Sequence, residues 1–142
     1  MGAQIAIIKQ FGQPGTAYQN KYCQVWHIQD DFAWFPNHSI FINNDFKAKL
    51  FTAFTALQKA NIQAEIKTFD GCYNERSVRG MDSTSLHAWA MAIDLNASTE
   101  VLGQLKANWS AQFVAIMKAA GIFWGGDFKS RKDPMHFANF NG

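Results

Sequence analysis

Residues 91–95 read Met-Ala-Ile-Asp-Leu, a short apolar run that predicts a buried strand with a carboxylate in its middle. Burying a carboxylate is costly unless it is paired or bound to a metal. Asp94 therefore obliges the fold to bring partners to it. The histidines are His27, His38, His87 and His136. His27 lies in the strand-like run Val25-Trp-His-Ile28 and reads as a hydrogen-bonded, half-buried imidazole, and His38 follows Pro36-Asn37 in a turn and is expected in solvent. His87 precedes Asp94 by seven positions. Seven extended residues span roughly 23 Å, so the two can meet only if the chain folds back near Ala88–Met91. Asp133 stands three residues before His136, across Pro134. Both can face one site if Pro134 holds the link extended. Taken singly, each acid reads as a helix cap or a turn residue; together the pairs supply two imidazoles and two carboxylates.

That set has a chemistry. A catalytic zinc site takes three protein ligands from His, Asp or Glu and keeps a position open. It normally adds a separate carboxylate as general base. Four groups fill those roles without surplus. Ahead of His87, Tyr73-Asn-Glu-Arg76-Ser-Val-Arg79-Gly80 carries two guanidinium groups. An always-charged guanidinium can polarise a carbonyl and stabilise an oxyanion; the bland alternative is a surface ion pair of little worth. Trp124-Gly125-Gly126-Asp127 predicts a tight turn opening the loop that delivers Asp133 and His136.

The frame around these residues is one domain spanning 1–142. Hydrophobic residues make up 48% and charged residues 17%, which provides a packed core and excludes disorder. A net charge of +2 gives no long-range attraction to nucleic acid or to anionic membranes. The aromatic share of 15% predicts a dense core and an aromatic-lined cleft. No apolar stretch approaches the ~18–20 residues of a membrane span. The first residues, Met1-Gly-Ala-Gln-Ile-Ala-Ile-Ile-Lys9, make a poor signal peptide and read as a first strand or core anchor, so synthesis in a cytoplasm is expected. Cys23 and Cys72 form no Cys-x-x-Cys unit and are expected as two packed thiols. A helix is predicted over 45–60, with Phe46, Leu50, Phe51, Phe54 and Leu57 inward and Asn43 or Asn44 as its cap. The alternation over 62–69 predicts a strand, 71–85 a long ordered loop, 110–120 a second helix stopped by Gly121, and the last residues a closing strand. The sum is an α+β fold, a short and mainly antiparallel sheet packed against two or three helices, with a zinc site in a cleft.

Three stretches, in this order, resemble the zinc-dependent D-alanyl-D-alanine carboxypeptidase family and its L-alanyl-D-glutamate peptidase branch, which includes many phage endolysins. They are Tyr73-Asn-Glu-Arg76-Ser-Val-Arg79-Gly80, then Ser85-Leu-His87-Ala-Trp-Ala-Met-Ala-Ile-Asp94, then Trp124-Gly-Gly-Asp-Phe with Asp133-Pro-Met-His136-Phe. The resemblance covers roughly residues 69–137. It implies His87, Asp94 and His136 as zinc ligands, Asp133 as catalytic base, and Arg76, or second Arg79, as the group assisting the carbonyl. Ser85, Arg79 and Trp124 would lie against substrate. Two positions depart from the family pattern. Ala90 stands where glycine is usual, so the turn is expected to be built differently. Ala138 stands where a polar residue often follows the final His-Phe, which would weaken an outer contact of the site.

The implied activity is hydrolysis of peptidoglycan stem peptides by a monomer holding one zinc ion, with the L-Ala–D-Glu bond preferred and removal of terminal D-Ala second. An enzyme of this kind would act on the wall after release from the cell or as part of a virion, without nucleic acid, membrane insertion or a separate wall-binding domain. A non-catalytic zinc-bearing wall-binding module and a plain structural protein are the competing readings.

Overall fold

The computed structural model describes residues 2–73 and 86–142. In chain order it contains α1 (Gly2–Phe11), α2 (Thr16–Tyr22), β1 (Cys23–Trp26), α3 (Ile28–Asp31), β2 (Ile40–Asn43), α4 (Asn44–Lys59), β3 (Phe69–Gly71), β4 (Ala92–Leu95), α5 (Ala111–Ala119), β5 (Phe123–Trp124) and β6 (His136–Ala138). Strands β1 and β2 pair antiparallel, and the others form a second antiparallel sheet in the order β3-β4-β6-β5. The fold is α+β, as the sequence pattern implies.

Helix α4 starts where an asparagine can cap it. The Asn43 side chain accepts from the Phe46 N–H at 2.9 Å, and Phe46, Leu50, Ala53, Phe54 and Leu57 are buried at helical spacing. Phe51, expected inward, is 42% exposed and instead lies at the margin of the core, with its ring 5.1 Å from that of Phe32. Ser110 caps α5 in the same way, and Phe113 and Met117 point inward. Gly121, at φ 85°, ends it in the left-handed region that glycine enters without strain. These two helices cover one face of the second sheet, where Ile93, Leu95 and Phe137 join the main core. The alternate residues Ala92 and Ala138 face the other way, into a smaller cluster with Ile7, Tyr18, Leu86 and Trp89. The sheet is thus covered on both faces, and the N-terminal helices supply the second layer.

Three expectations fail. The N-terminal segment is a helix rather than a first strand; a short apolar run does not distinguish the two by itself. The alternative expectation of a core anchor holds through Ile7, which is buried while Ile5 is 62% exposed. The strand through Val25–Ile28 stops at Trp26, and His27 becomes the exposed residue that starts α3. The predicted strand over 62–69 is a 3-10 turn at Gln63–Glu65 followed by an irregular stretch, and β3 begins only at Phe69. Asn96 causes this last change. Its side-chain oxygen accepts from the N–H groups of Lys67 at 2.8 Å and Thr68 at 3.0 Å, and its amide donates to the Glu65 carbonyl at 2.6 Å. Those backbone groups are then unavailable to a neighbouring strand. Asn96 also takes φ 55°, a conformation that asparagine tolerates better than most residues. Asn96→Ala should therefore destabilise the protein by about 2 kcal/mol or more, since it orphans three backbone groups and leaves a left-handed alanine. Urea unfolding midpoints measure this; a change of a few tenths would refute the assignment.

Candidate metal centre

The centre is built first from strand register. Asp94 on β4 and His136 on β6 are directly opposed in the antiparallel pair, and opposed residues project from the same face of a sheet. Asp94 Oδ1 lies 3.5 Å from His136 Nδ1. His87 arrives from a different direction, on the 3-10 turn Leu86–Trp89 just before β4. The reversal at 88–91 that the His87–Asp94 spacing demands is present. The Ala90 N–H donates to the His87 carbonyl at 3.1 Å and the Met91 N–H to the Leu86 carbonyl at 3.2 Å. His87 Nε2 thereby reaches 3.3 Å from Asp94 Oδ2. Ala90 occupies the position where a glycine was expected and adopts φ 54° all the same. A left-handed alanine costs roughly 1–2 kcal/mol, so this turn is held in place by its surroundings.

Ligand atoms of His87, Asp94 and His136 lie within 4.8 Å of one another. Their outer nitrogens are engaged elsewhere. His87 Nδ1 is 2.8 Å from the Cys72 carbonyl and His136 Nε2 is 2.8 Å from the Gly142 carbonyl. A backbone oxygen only accepts, so each outer nitrogen carries a hydrogen, and in the neutral ring the inner nitrogen is left with the lone pair that a metal would take. Asp94 Oδ1 is buried and has no hydrogen-bond partner among the described residues. Two imidazole nitrogens and an unsatisfied carboxylate oxygen together are a donor set that suits zinc. Burial pushes the Asp94 carboxyl up, but the two imidazoles beside it hold it well below the usual carboxylate range. Burial disfavours the charged form of His87, yet Asp94 outweighs it and raises the imidazole above its ordinary value.

Asp133 stands beside this group without belonging to it. It interacts electrostatically with His136, Asp94 and His87, and its Oδ1 is buried without a hydrogen-bond partner among the described residues. Burial raises its pKa above the ordinary carboxylate value; the Asp94 charge adds to this and His136 opposes it. Pro134 does not hold the link to His136 extended. The His136 N–H donates to the Asp133 carbonyl at 3.0 Å, closing a tight turn, and proline's fixed φ suits the second position of such a turn.

The Trp-Gly-Gly segment positions that turn by shape. A Cβ on Gly125 would run into the Asp133 carbonyl oxygen, and one on Gly126 would run into the Trp124 indole. Neither glycine has a positive φ, so close approach is what requires them. The Gly125 carbonyl also accepts from the Asp133 N–H at 2.9 Å. Trp124 Nε1 donates to the Pro134 carbonyl at 2.8 Å, and Trp109 Nε1 donates to the same oxygen at 2.9 Å. Trp124 therefore has a scaffolding contact that its expected place against substrate did not suggest. Trp109 was not legible as part of the site, because nothing in its local sequence points to Pro134. Ala138 is fully buried opposite Ala92, against the N-terminal cluster, where a polar side chain would need a partner. Arg76, Arg79 and Ser85 lie outside the described residues.

With this geometry in view, residues 79–139 match the family model described as D-alanyl-D-alanine carboxypeptidase. The match bears out the resemblance read from the sequence, and it contains all four acidic and imidazole groups of the centre. Because the contact between Gly125 and Asp133 leaves no space for a methyl group, Gly125→Ala should displace the turn that carries Asp133 and His136. The expected result is weaker divalent-metal binding by at least about tenfold, measured by competition with a chromogenic chelator. Wild-type affinity in that variant would show that the contact is dispensable.

Proposed function

We propose that this protein is a zinc peptidase that hydrolyses peptidoglycan stem peptides, with the L-Ala–D-Glu bond as its preferred target. The observation that carries this reading is the convergence of His87 Nε2, Asp94 and His136 Nδ1 with Asp133 beside them. His87, Asp94 and His136 would hold the metal. Bound there, zinc supplies Lewis acidity and makes hydroxide available near neutral pH. Asp133 takes a proton from the attacking water as its oxygen bonds to the scissile carbonyl carbon. The same carboxyl returns that proton to the departing amine as the C–N bond breaks. Arg76, with Arg79 as the second choice, stabilises the negative charge that develops on the carbonyl oxygen. Ser85, Arg79 and Trp124 line the substrate's path.

Both cysteines are free, as expected of packed thiols, and burial pushes the Cys72 thiol well above its ordinary value. No helix among the described residues is long and apolar enough to cross a membrane. The proposed role is that of an endolysin-type lytic enzyme, acting after release or from a virion as a monomer. The description of the matching family favours one alternative, removal of the terminal D-Ala. A wall-binding module without turnover has no use for an unliganded carboxylate beside the metal group, and this sets it lower.

Two variants test the division of labour. His136→Ala should lose both bound zinc and hydrolysis. Asp133→Ala should keep zinc and lose turnover by roughly 10²-fold or more. Purified peptidoglycan is digested with and without chelator, and the new termini are identified by mass spectrometry. New amino termini on D-Glu support the preferred bond, and release of free D-Ala supports the alternative. Normal cleavage by Asp133→Ala would overturn the mechanism.

A further inference from the structure

The turn that carries His87 is anchored from outside the family-matched segment, by α2 and by the end of β2. The peptide groups on both sides of the left-handed Ala90 are tied to them. The Trp89 carbonyl accepts from the Tyr18 hydroxyl at 2.6 Å, and the Ala90 carbonyl accepts from the Asn43 N–H at 3.0 Å. Tyr18 is 3% exposed, and its hydroxyl oxygen accepts in turn from Asn43 Nδ2 at 2.9 Å. The Trp89 indole N–H reaches the Gly12 carbonyl at 3.1 Å. Burial holds the Tyr18 hydroxyl in its protonated, donating form. An alanine at φ 54° relaxes toward negative φ unless its neighbouring peptides are held. Such a relaxation would rotate the turn and carry His87 away from Asp94.

We infer that Tyr18 is a positioning residue for the metal centre: its hydrogen bond to the Trp89 carbonyl holds the strained Ala90 turn and so sets where His87 presents its inner nitrogen. This rests on the zinc-peptidase reading above. It also accounts for how the chain uses alanine at this position, since the tether supplies the conformational hold that glycine would make unnecessary.

The test is a cycle of Tyr18→Phe, Ala90→Gly and the double variant, read by zinc affinity in chelator competition well below each melting temperature. Tyr18→Phe keeps the ring and removes only the hydroxyl. It should weaken zinc binding by roughly tenfold. Ala90→Gly alone should leave affinity near wild type, because glycine takes the left-handed conformation without a tether. The double variant should bind zinc within about twofold of wild type, a rescue that a merely stabilising role for Tyr18 would not produce. If Tyr18→Phe does not fold alone, the double variant decides: folded protein with near-wild-type affinity supports the inference, and its failure to fold or to bind overturns it. Tyr18→Phe with unchanged zinc affinity overturns it too, whatever happens to the melting temperature. Wild-type protein that binds no zinc would overturn the functional reading and this inference with it, whereas zinc-binding wild type with an unaffected Tyr18→Phe overturns this inference alone.

Discussion

A carboxylate on an otherwise apolar strand is the constraint on which the rest of this structure depends. Asp94 faces away from Ile93 and Leu95, so the side of β4 that serves the main core stays apolar while its other side carries the charge. Its two oxygens look toward two different imidazoles. Without them a half-buried carboxylate, with Oδ1 out of reach of solvent, would lose its compensating partners. The candidate metal centre therefore also bears on the fold: it links a strand, its antiparallel neighbour and the preceding turn through side chains as well as backbone.

The groups around the centre divide into those that present electrons and those that hold them still. His87, Asp94 and His136 present donor atoms. The carbonyls of Cys72 and Gly142 settle which nitrogen of each ring points inward. The glycines at 125 and 126 act by having no side chain, which lets the Asp133 turn and the Trp124 ring close on the backbone. Two indoles share the Pro134 carbonyl and pin that turn from the other side. Such support matters because a site loosened by even an ångström loses much of its power to orient reacting groups. Helix α2 bears directly on the turn that carries His87 through Tyr18, and the end of β2 does so through Asn43.

Local signals were legible where one residue's chemistry suffices. Asn43 and Ser110 mark helix starts because a short polar side chain satisfies an N–H that the helix leaves open. Gly121 marks a stop for a comparable reason. The fold-back before Asp94 followed from chain reach alone, and both β4 and β6 lie where the pattern put them. Reading failed where a distant side chain competes for backbone groups. Asn96 captures the amides of Lys67 and Thr68, and no pattern within 62–69 reveals a partner so far along the chain. It failed again at α1, whose few isoleucines satisfy either period.

Residue types and spacing by themselves pointed to the α+β class, the two main helices and the pairing of acidic with imidazole groups, because those follow from local periodicity and from the cost of burying a lone carboxylate. Only the tertiary structure decided that Asp94 and His136 are cross-strand partners, that Pro134 bends instead of extending, and that alanine at position 90 keeps a left-handed turn. Each of these depends on contacts between segments far apart in sequence, and such contacts leave no local trace.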